Sequence, residues 1–216
     1  MENNLPHIHN IRTDYIKAEL NEDQVSRNPI DQFSTWFNEA LNAKVVEPNA
    51  MSLATASTDG QADARIVLLK DINSEGFVFF TNYNSKKGQD ISENAKVALL
   101  FFWPELERQV RVLGKVDKIS TIESEEYFHS RPRGSQLGAL ASHQSERIKD
   151  RTVIETEQER LQKKYNGTEI PLPDYWGGYR VIPHRVEFWQ GRANRLHDRI
   201  VYKKAESNWD IFRISP

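Results

Sequence analysis

The chain has 216 residues, of which 29 are Lys or Arg and 31 are Asp or Glu, and it contains no cysteine. This length suits one domain with a sizeable core, and the balanced charge argues against a strongly basic nucleic-acid-binding protein. The lack of cysteine excludes disulfides, thiol catalysis and thiolate metal sites.

The composition also bears on location and on metal binding. The first ten residues lack the basic start and the apolar run of a signal peptide. Because no stretch approaches the ~20 apolar residues of a membrane helix, we expect a cytoplasmic protein that does not contact a membrane. The six histidines lack a metal-ligand spacing such as HExxH, so we expect no metal site.

The N-terminal residues 1–27 are polar and show no sustained apolar period, which is typical of a mobile arm. We expect residues 28–216 to form a single domain. Its first element is an amphipathic helix that follows Asn28-Pro29, because apolar residues recur at spacings of three and four. These are Phe33, Trp36, Phe37, Ala40 and Leu41.

The next part of the chain changes to a period of two. Five strands are predicted at 51–57, 63–70, 76–82, 96–103 and 107–119. Most of the connections are too short for crossover helices, which favours an antiparallel barrel or sandwich over a Rossmann sheet. A helical region follows at about 120–166, where Ser120 and Glu123 have the spacing of a capping box. Three strands at 178–190, 197–203 and 209–214 complete a mainly β fold with flanking helices.

Two segments carry cations that suit an anion. In RIVLLK, strand alternation predicts that Arg65 and Lys70 face opposite sides of the sheet and serve different ligands, unless a bend intervenes. Farther on, Ser85 is a candidate N-cap for a helix over 89–95, which puts Lys86 and Lys87 in its first turn. The helix dipole disfavours cations there, and a bound phosphate would reverse that effect. Strand ends and a solvated lysine pair are the structural alternatives.

Two later segments carry further candidates. Tyr127, Arg131 and Ser135 lie in YFHSRPRGS, where arginine forks and hydroxyls suit a second anion, although an RNA contact or a plain loop would use the same residues. Near the C-terminus, the segment RLHDR predicts Arg195, His197 and Arg199 on one face of a strand, with Leu196 turned toward the core. Three such groups repel one another unless an anion or a polar ligand covers them.

Taken in order, several motifs resemble one known family over almost the whole chain, from about residue 12 to 216. They are RIVLLK, FFTNYNSKKG, ERQVRVLGKV, YFHSRPRGSQLGALAS, QS, FWQG and RLHDR. The ordered set resembles the pyridoxine (pyridoxamine) 5'-phosphate oxidases. The resemblance implies an FMN-binding split β-barrel and a homodimer with active sites at the subunit interface. It also implies oxidation of pyridoxamine 5'-phosphate and pyridoxine 5'-phosphate by O2 to pyridoxal 5'-phosphate and H2O2.

The resemblance further implies a role for particular residues. Arg195 and His197 would be catalytic. FMN would contact Arg65, Ile66, Val67, Leu68, Leu69, Lys70, Phe80, Thr81, Lys86, Lys87, Gln109, Gln144, Ser145, Trp189 and Arg199. The substrate would contact Arg12, Tyr15, Lys70, Tyr127, Arg131, Ser135, Arg195, Leu196 and His197. The chain departs from the family pattern at Phe80, where tyrosine is common, and at Lys86, where arginine is common.

Three other functions fit parts of the pattern. A related flavoenzyme of the same fold would act on another substrate, for instance in phenazine-type biosynthesis. A non-catalytic carrier of flavin or of a B6 phosphate would bind its ligand and consume no oxygen. An RNA-binding module would use the basic and aromatic segments, but balanced charge and the absence of a known nucleic-acid motif disfavour it.

Overall fold

A computed structural model describes residues 14–216 of the chain. In this part of the chain, the helices are α1 (Pro29–Asn42), α2 (Lys86–Glu93), α3 (Thr121–Ser130), α4 (Arg133–Ala141) and α5 (Thr152–Lys164). The strands are β1 (Ala50–Ala56), β2 (Ala62–Leu68), β3 (Asp71–Asn73), β4 (Gly76–Asn82), β5 (Lys96–Trp103), β6 (Arg108–Lys118), β7 (Trp176–Gln190), β8 (Asp198–Lys204) and β9 (Trp209–Arg213).

The described residues form two compact units. One unit, here called the sheet unit, comprises residues 49–101 and 112–185. The other, here called the terminal unit, comprises residues 14–48, 102–111 and 186–216. The prediction that 28–216 is a single domain stays a prediction.

The sheet unit is built on strands in the order β2-β1-β5-β6-β7-β4-β3. The pairs β1–β2, β1–β5, β3–β4 and β4–β7 are antiparallel. Alternate residues of β1 and β5 are buried, as a period of two requires when one face of a sheet packs on a core. A second apolar cluster joins α3, α4 and α5 through Phe128, Leu137 and Leu161.

The helix α3 begins at a complete capping box. The Ser120 hydroxyl accepts a hydrogen bond from the Glu123 amide at 3.1 Å, and the Glu123 carboxylate accepts one from the Ser120 amide at 3.0 Å. Two amides that the first turn leaves without helical partners are thereby satisfied, which fixes where the helix starts. The start matters for function, because α3 carries Tyr127 and ends at Arg131.

In the terminal unit, α1 packs on the ends of β6 and β7. Trp36 of α1 meets Phe188 edge to face, with ring centroids 5.2 Å apart. The guanidinium of Arg108 lies 4.3 Å from the Trp36 ring centroid, and its Nε donates to Gln190 Oε1 at 2.9 Å. The apolar stripe of α1 therefore faces this core, as its three-and-four spacing predicts.

Residues 14–27, the described part of the predicted arm, contact the rest of the terminal unit. Leu20 is buried, and its amide donates to Asp198 Oδ2 at 3.1 Å. The Lys17 amide donates to Glu107 Oε2 at 3.0 Å, and Tyr202 donates to the Ser26 carbonyl at 2.7 Å. The mobility of residues 1–27 stays a prediction, and Arg12 lies outside the described residues.

The predicted helices and strands match the structure within a few residues, but the short strand β3 was not predicted and the region before β8 differs. Residues Ala193–Arg195 form a 3₁₀ turn, and β8 begins only at Asp198. Asn194 and Arg195 have positive φ angles of 55° and 61°, which a strand cannot accommodate. The prediction that Arg195 and His197 alternate along a strand is therefore wrong. So is the inward placement of Leu196, which is 69% exposed.

Candidate functional site

The sheet unit contains a cavity of about 920 Å³. Its walls come from β2, β4, α2, α3 and α4, and from the segment that follows α4. Most of the candidate residues of this unit line it, namely Arg65, Ile66, Val67, Leu68, Lys70, Phe80, Thr81, Lys86, Lys87, Tyr127, Arg131, Ser135, Gln144 and Ser145. The cavity is large enough for a cofactor together with a small substrate.

Lys87 brings a buried positive charge to this cavity. Its ammonium group donates to Gln144 Oε1 at 3.0 Å, to Ser85 Oγ at 3.1 Å and to Thr81 Oγ1 at 3.3 Å. All three acceptors are neutral, so none of these bonds balances the charge. Burial lowers the pKa of Lys87 below its ordinary value, the positive charge of Arg65 lowers it further, and the carboxylate of Asp63 opposes both. An anion placed here would stabilise the charged form.

Local sequence explains why Lys87 lies in this position. Ser85 caps α2 by accepting from the Gly88 amide at 3.4 Å. A Cβ atom on Gly88 would come within 2.0 Å of the Tyr83 carbonyl oxygen, so only glycine lets the helix start this close to the preceding turn. The first turn of α2 is therefore held against the end of β4, which carries Thr81.

Arg65 and Lys70 both line the cavity, which corrects the prediction that they face opposite sides. The strand β2 ends at Leu68, so alternation does not extend to Lys70. The Lys70 amide instead donates to the Val78 carbonyl at 2.9 Å, which turns the chain toward β4. Arg65 is held by Thr55 Oγ1 at 2.8 Å and by Asp63 Oδ2 at 2.5 Å.

A second cation lies among aromatic rings. The guanidinium of Arg131 lies 4.7 Å from the Trp176 ring centroid. Tyr127 stacks on Phe80 with centroids 3.8 Å apart and lies nearly parallel to Trp176. The buried Nη1 of Arg131 has no hydrogen-bond partner within residues 14–216, and burial lowers the pKa of this guanidinium. An unsatisfied buried donor on a cation is a direct sign that the site suits an anion.

The segment after α4 adds polar groups under backbone strain. Gln144 Oε1 accepts from Lys87, and Ser145 has a positive φ of 74°. Left-handed backbone is costly for a residue with a Cβ, and it persists where the surrounding structure imposes it. Both residues line the cavity, so the strained position lies in the wall itself.

In the terminal unit, the structure brings together Tyr15, Trp189 and His197. The Tyr15 ring lies edge-on to Trp189 at 5.7 Å and to His197 at 5.9 Å, and the Trp189 and His197 centroids are 4.6 Å apart. A Cβ atom on Gly191 would come within 2.7 Å of the Tyr15 ring, so glycine permits this approach. These three candidates therefore form one aromatic cluster.

The hydrogen bond to His197 determines its tautomer. The Arg192 amide donates to His197 Nδ1 at 3.1 Å, so Nδ1 carries no proton and the neutral ring carries its proton on Nε2. Burial lowers the pKa of His197, the charge of Arg195 lowers it further, and Asp198 opposes both. The imidazole is therefore a hydrogen-bond donor through Nε2 at neutral pH.

The other candidates of this unit are placed differently. Arg199 is paired with the buried Glu187, whose Oε1 accepts from Nε at 2.9 Å and from Nη2 at 2.8 Å. This ion pair and the neutral His197 remove the predicted repulsion among three cations. Arg195 is exposed on the 3₁₀ turn, and Gln109 is half-buried on β6. His197 and Leu196 also line a cavity of about 470 Å³ near the C-terminal residues.

Comparison with known proteins identifies the family. The family described as pyridoxamine 5'-phosphate oxidase matches residues 37–165, and the pyridoxine 5'-phosphate oxidase C-terminal dimerisation region matches residues 176–216. The chain belongs to the pyridoxamine 5'-phosphate oxidase family. A Trichormus variabilis relative, named pyridoxine/pyridoxamine 5'-phosphate oxidase, is 54% identical over 97% of this chain and 98% of its own length. A Leptospira interrogans relative of the same name is 52% identical over 98% of this chain and 99% of its own.

Solved structures that resemble this chain show the fold. The structure of PhzG from Burkholderia lata, in complex with tetrahydrophenazine-1-carboxylic acid, has a TM-score of 0.86 at 30% identity and covers 90% of this chain and 95% of its own. An FMN-binding protein from Nostoc punctiforme has a TM-score of 0.69 at 16% identity, over 85% of this chain and 97% of its own. The predicted mainly β, antiparallel split barrel with flanking helices is confirmed.

Some residues of the cavity were not predicted from the sequence, and among the predicted residues of the sheet unit Leu69 does not line it. The Trp176 ring lies against the Arg131 guanidinium. In the sequence, however, Trp176 is an ordinary aromatic residue at the start of a strand. Asp63 lines the wall and pairs with Arg65. Leu69 is buried away from the lining, with its amide bonded to the Asn49 carbonyl at 2.8 Å. Along residues 14–216, none of the helices has the length and apolar character needed to cross a bilayer.

We predict that inorganic phosphate stabilises the apoprotein through Lys87. At about 100 times its dissociation constant, phosphate raises the free energy of unfolding of the wild type by about 2.7 kcal/mol. Lys87→Met should lose the part of this increase that comes from the site around Lys87, because the aliphatic chain remains while the buried charge is removed. Urea denaturation at several phosphate concentrations measures the effect. Lys96→Met, which alters an exposed lysine on β5, is the control, and an undiminished increase in Lys87→Met would contradict the assignment.

We also predict a stability difference at acidic pH that depends on His197. Because folding lowers its pKa, the unfolded chain takes up a proton below about pH 6.5 that the folded chain does not. The stability contributed by neutral His197 is therefore present above this pH and is lost as the pH falls toward the folded pKa. Relative to His197→Asn, whose amide oxygen can still accept from Arg192, the wild type should lose free energy of unfolding between pH 7.5 and 5. Parallel pH profiles of the two proteins would refute the prediction.

Proposed function

We propose that this chain binds FMN and oxidises pyridoxamine 5'-phosphate and pyridoxine 5'-phosphate with O2 to pyridoxal 5'-phosphate and H2O2. With the amine, the imine formed first is hydrolysed, so water is also consumed and ammonia released. The observation that carries the proposal is that one cavity contains two cationic side chains that could each bind an anion. Lys87 is buried on neutral acceptors, and Arg131 has a buried donor without a partner in the described residues. Two phosphorylated ligands would match two such groups.

We assign the FMN phosphate to the group around Lys87. Arg65 and Lys86 add positive charge, and Thr81 and Ser145 add hydroxyls on the same cavity wall. The phosphate would balance a charge that the protein has already desolvated. Lys86 keeps the charge of the more common arginine without its planar fork.

The edge strand β2 suits the flavin ring. In the sheet order β2 is terminal and pairs with β1, so its outer edge presents amide and carbonyl groups. Residues Ile66, Val67 and Leu68 of this strand line the cavity. A heterocycle with its own donors and acceptors can bond to such an edge regardless of side chains. Phe80 acts here through its backbone and through stacking on Tyr127, so the missing hydroxyl leaves this role intact.

We assign the substrate phosphate to Arg131, with Tyr127, Ser135 and Lys70. The guanidinium is already oriented by Trp176 and retains a free Nη1 donor, so little side-chain entropy is lost when an oxyanion binds. The adjacent Arg133 donates to the carbonyls of Thr168 and Tyr165 instead. The two arginines of this segment therefore differ in role.

We propose that the active protein is a homodimer with active sites at the subunit interface. The match of residues 176–216 to the family's dimerisation region supports this assembly. The family resemblance assigns Tyr15, Gln109, Trp189, Arg195, Leu196, His197 and Arg199 to the same active sites as the residues of the cavity. Arg12 has the same assignment.

The reaction needs positioning more than acid–base groups from the protein. Bound FMN would accept two electrons and a proton equivalent from the substrate carbon and pass the electrons to O2. Two phosphate anchors restrict the motion of both ligands, which removes entropy from the barrier. A guanidinium is a poor base, so we assign Arg195 to act by its charge. His197 donates through Nε2 and orients a ligand acceptor.

We expect the purified protein to be yellow and to consume O2 when given either phosphorylated vitamer. One H2O2 and one pyridoxal 5'-phosphate should form for each O2 consumed, as measured with an oxygen electrode and by absorbance. Pyridoxine without its phosphate is the matched control and should be a much poorer substrate. A protein that binds the vitamers without consuming oxygen would be a carrier. Oxidation of tetrahydrophenazine-1-carboxylic acid, the compound bound in the PhzG structure, in preference to the vitamers would place the chain with PhzG-like enzymes.

We expect Arg131→Met to raise the KM for pyridoxine 5'-phosphate by at least roughly tenfold, because a charge-assisted hydrogen bond contributes ~1.5–3 kcal/mol. Binding of FMN should be unaffected, since Arg131 is assigned to the substrate. Steady-state oxygen uptake and fluorescence titration measure the two quantities. Arg133→Met is the matched control, because its guanidinium is engaged by carbonyls. A loss of FMN affinity in Arg131→Met with an unchanged KM would reverse the assignment of the two anion sites.

A further inference from the structure

We propose that Asp90 is a positioning residue for the cofactor phosphate, acting through Lys86 and through Thr55 on Arg65. The inference rests on the proposed function, in which Arg65 and Lys86 hold the phosphate of FMN. Asp90 itself is not among the residues that line the cavity. It lies on α2 and is 1% exposed, so its carboxylate acts on the site only through other side chains.

The Asp90 carboxylate bonds to both partners. Its Oδ1 accepts from Lys86 Nζ, one helical turn earlier. Its Oδ2 accepts from the Thr55 hydroxyl at 2.8 Å, and Thr55 is 2% exposed. One buried anion therefore connects α2 to β1.

The hydrogen bond with Thr55 has a fixed direction. An ionised carboxylate only accepts, so the single hydroxyl proton of Thr55 must point to Asp90. The oxygen lone pairs are then left for Arg65, whose Nη1 donates to Thr55 Oγ1 at 2.8 Å. In this relay the charge on Asp90 determines that Thr55 is an acceptor for the guanidinium.

The pKa of Asp90 supports its ionised state. Burial alone would raise this pKa, but the hydrogen bonds from Lys86 and Thr55 and the positive charges of Lys86 and Arg65 together outweigh burial and leave the pKa below its ordinary value. The hydrogen bond to Asp90 correspondingly raises the pKa of Lys86. Both partners are therefore charged at neutral pH.

Stability alone explains little of this arrangement. The Lys86 side chain is 54% exposed, and an ion pair that is open on one side contributes little to folding. The pair does hold the Lys86 ammonium near the first turn of α2, where the helix dipole opposes it. The buried Asp90 therefore serves mainly to orient Lys86 and Arg65 toward one ligand.

The test compares FMN with riboflavin, which has the same ring and lacks the phosphate. Apoprotein is titrated with each flavin, and the dissociation constants are measured by fluorescence quenching. Asp90→Asn should weaken FMN binding roughly tenfold, because the amide cannot accept from both partners, and should leave riboflavin binding unchanged. Glu93→Gln, which removes an exposed carboxylate from the same helix, is the control and should alter neither constant.

Thr55→Val provides an independent variant that interrupts the relay and retains the Lys86–Asp90 pair. It should also reduce FMN affinity selectively, and combined with Asp90→Asn the losses should be less than additive. Equal weakening of both flavins, or no change in either, in both variants would overturn the proposal. A wild type that binds FMN no better than riboflavin would refute the phosphate site itself and this inference with it. A wild type that prefers FMN, with variants that keep the full preference, would refute this inference alone.

Discussion

The structure of the cavity depends on a positive charge that is buried without an anionic hydrogen-bond partner. Lys87 donates to three neutral oxygens, and Arg65 is near enough to lower its pKa further. Desolvation of an ammonium group costs free energy that neutral acceptors recover only in part. The surroundings hold it there by local means, since Ser85 caps the helix and Gly88 permits the close approach to Tyr83. Such an arrangement is reasonable if a ligand supplies the missing negative charge.

Arg131 is a second cation of the cavity, but its surroundings are aromatic rings and not oxygen acceptors. Here the cation lies over an aromatic ring, and a guanidinium tolerates that environment because it is planar and weakly hydrated. The Trp176 ring lies against it, and within residues 14–216 no group accepts a hydrogen bond from its buried Nη1. At the first site, the compact ammonium group of Lys87 is surrounded by oxygen acceptors. At the second site, the planar guanidinium of Arg131 is surrounded by aromatic rings. Both proposed ligands carry phosphate, and this chemical difference between the two cations is what distinguishes the two anion sites of the cavity.

The sequence predicted regular structure well and irregular structure poorly. Apolar periods located the helices and most strands, and the Ser120–Glu123 spacing indicated the start of α3, because these signals are local. Alternation failed at Lys70 and at Arg195, where the strands end before or begin after the residue. The roles of Trp176 and Asp90 were missed because each depends on a partner distant in sequence. In the sequence Asp90 is indistinguishable from a helix-surface aspartate, and only its burial against Thr55 reveals the connection to Arg65.

The terminal unit shows how backbone geometry can determine chemistry. Left-handed residues at 194 and 195 shape the turn whose Arg192 amide reaches His197 Nδ1. A proton on Nδ1 would break that bond and add a positive charge beside Arg195, so the turn favours neutral imidazole. Arg199 is meanwhile occupied by Glu187. Arg195 therefore offers positive charge, and His197 offers a hydrogen-bond donor with a fixed direction. These properties suit the binding of a ligand better than the removal of a proton from it.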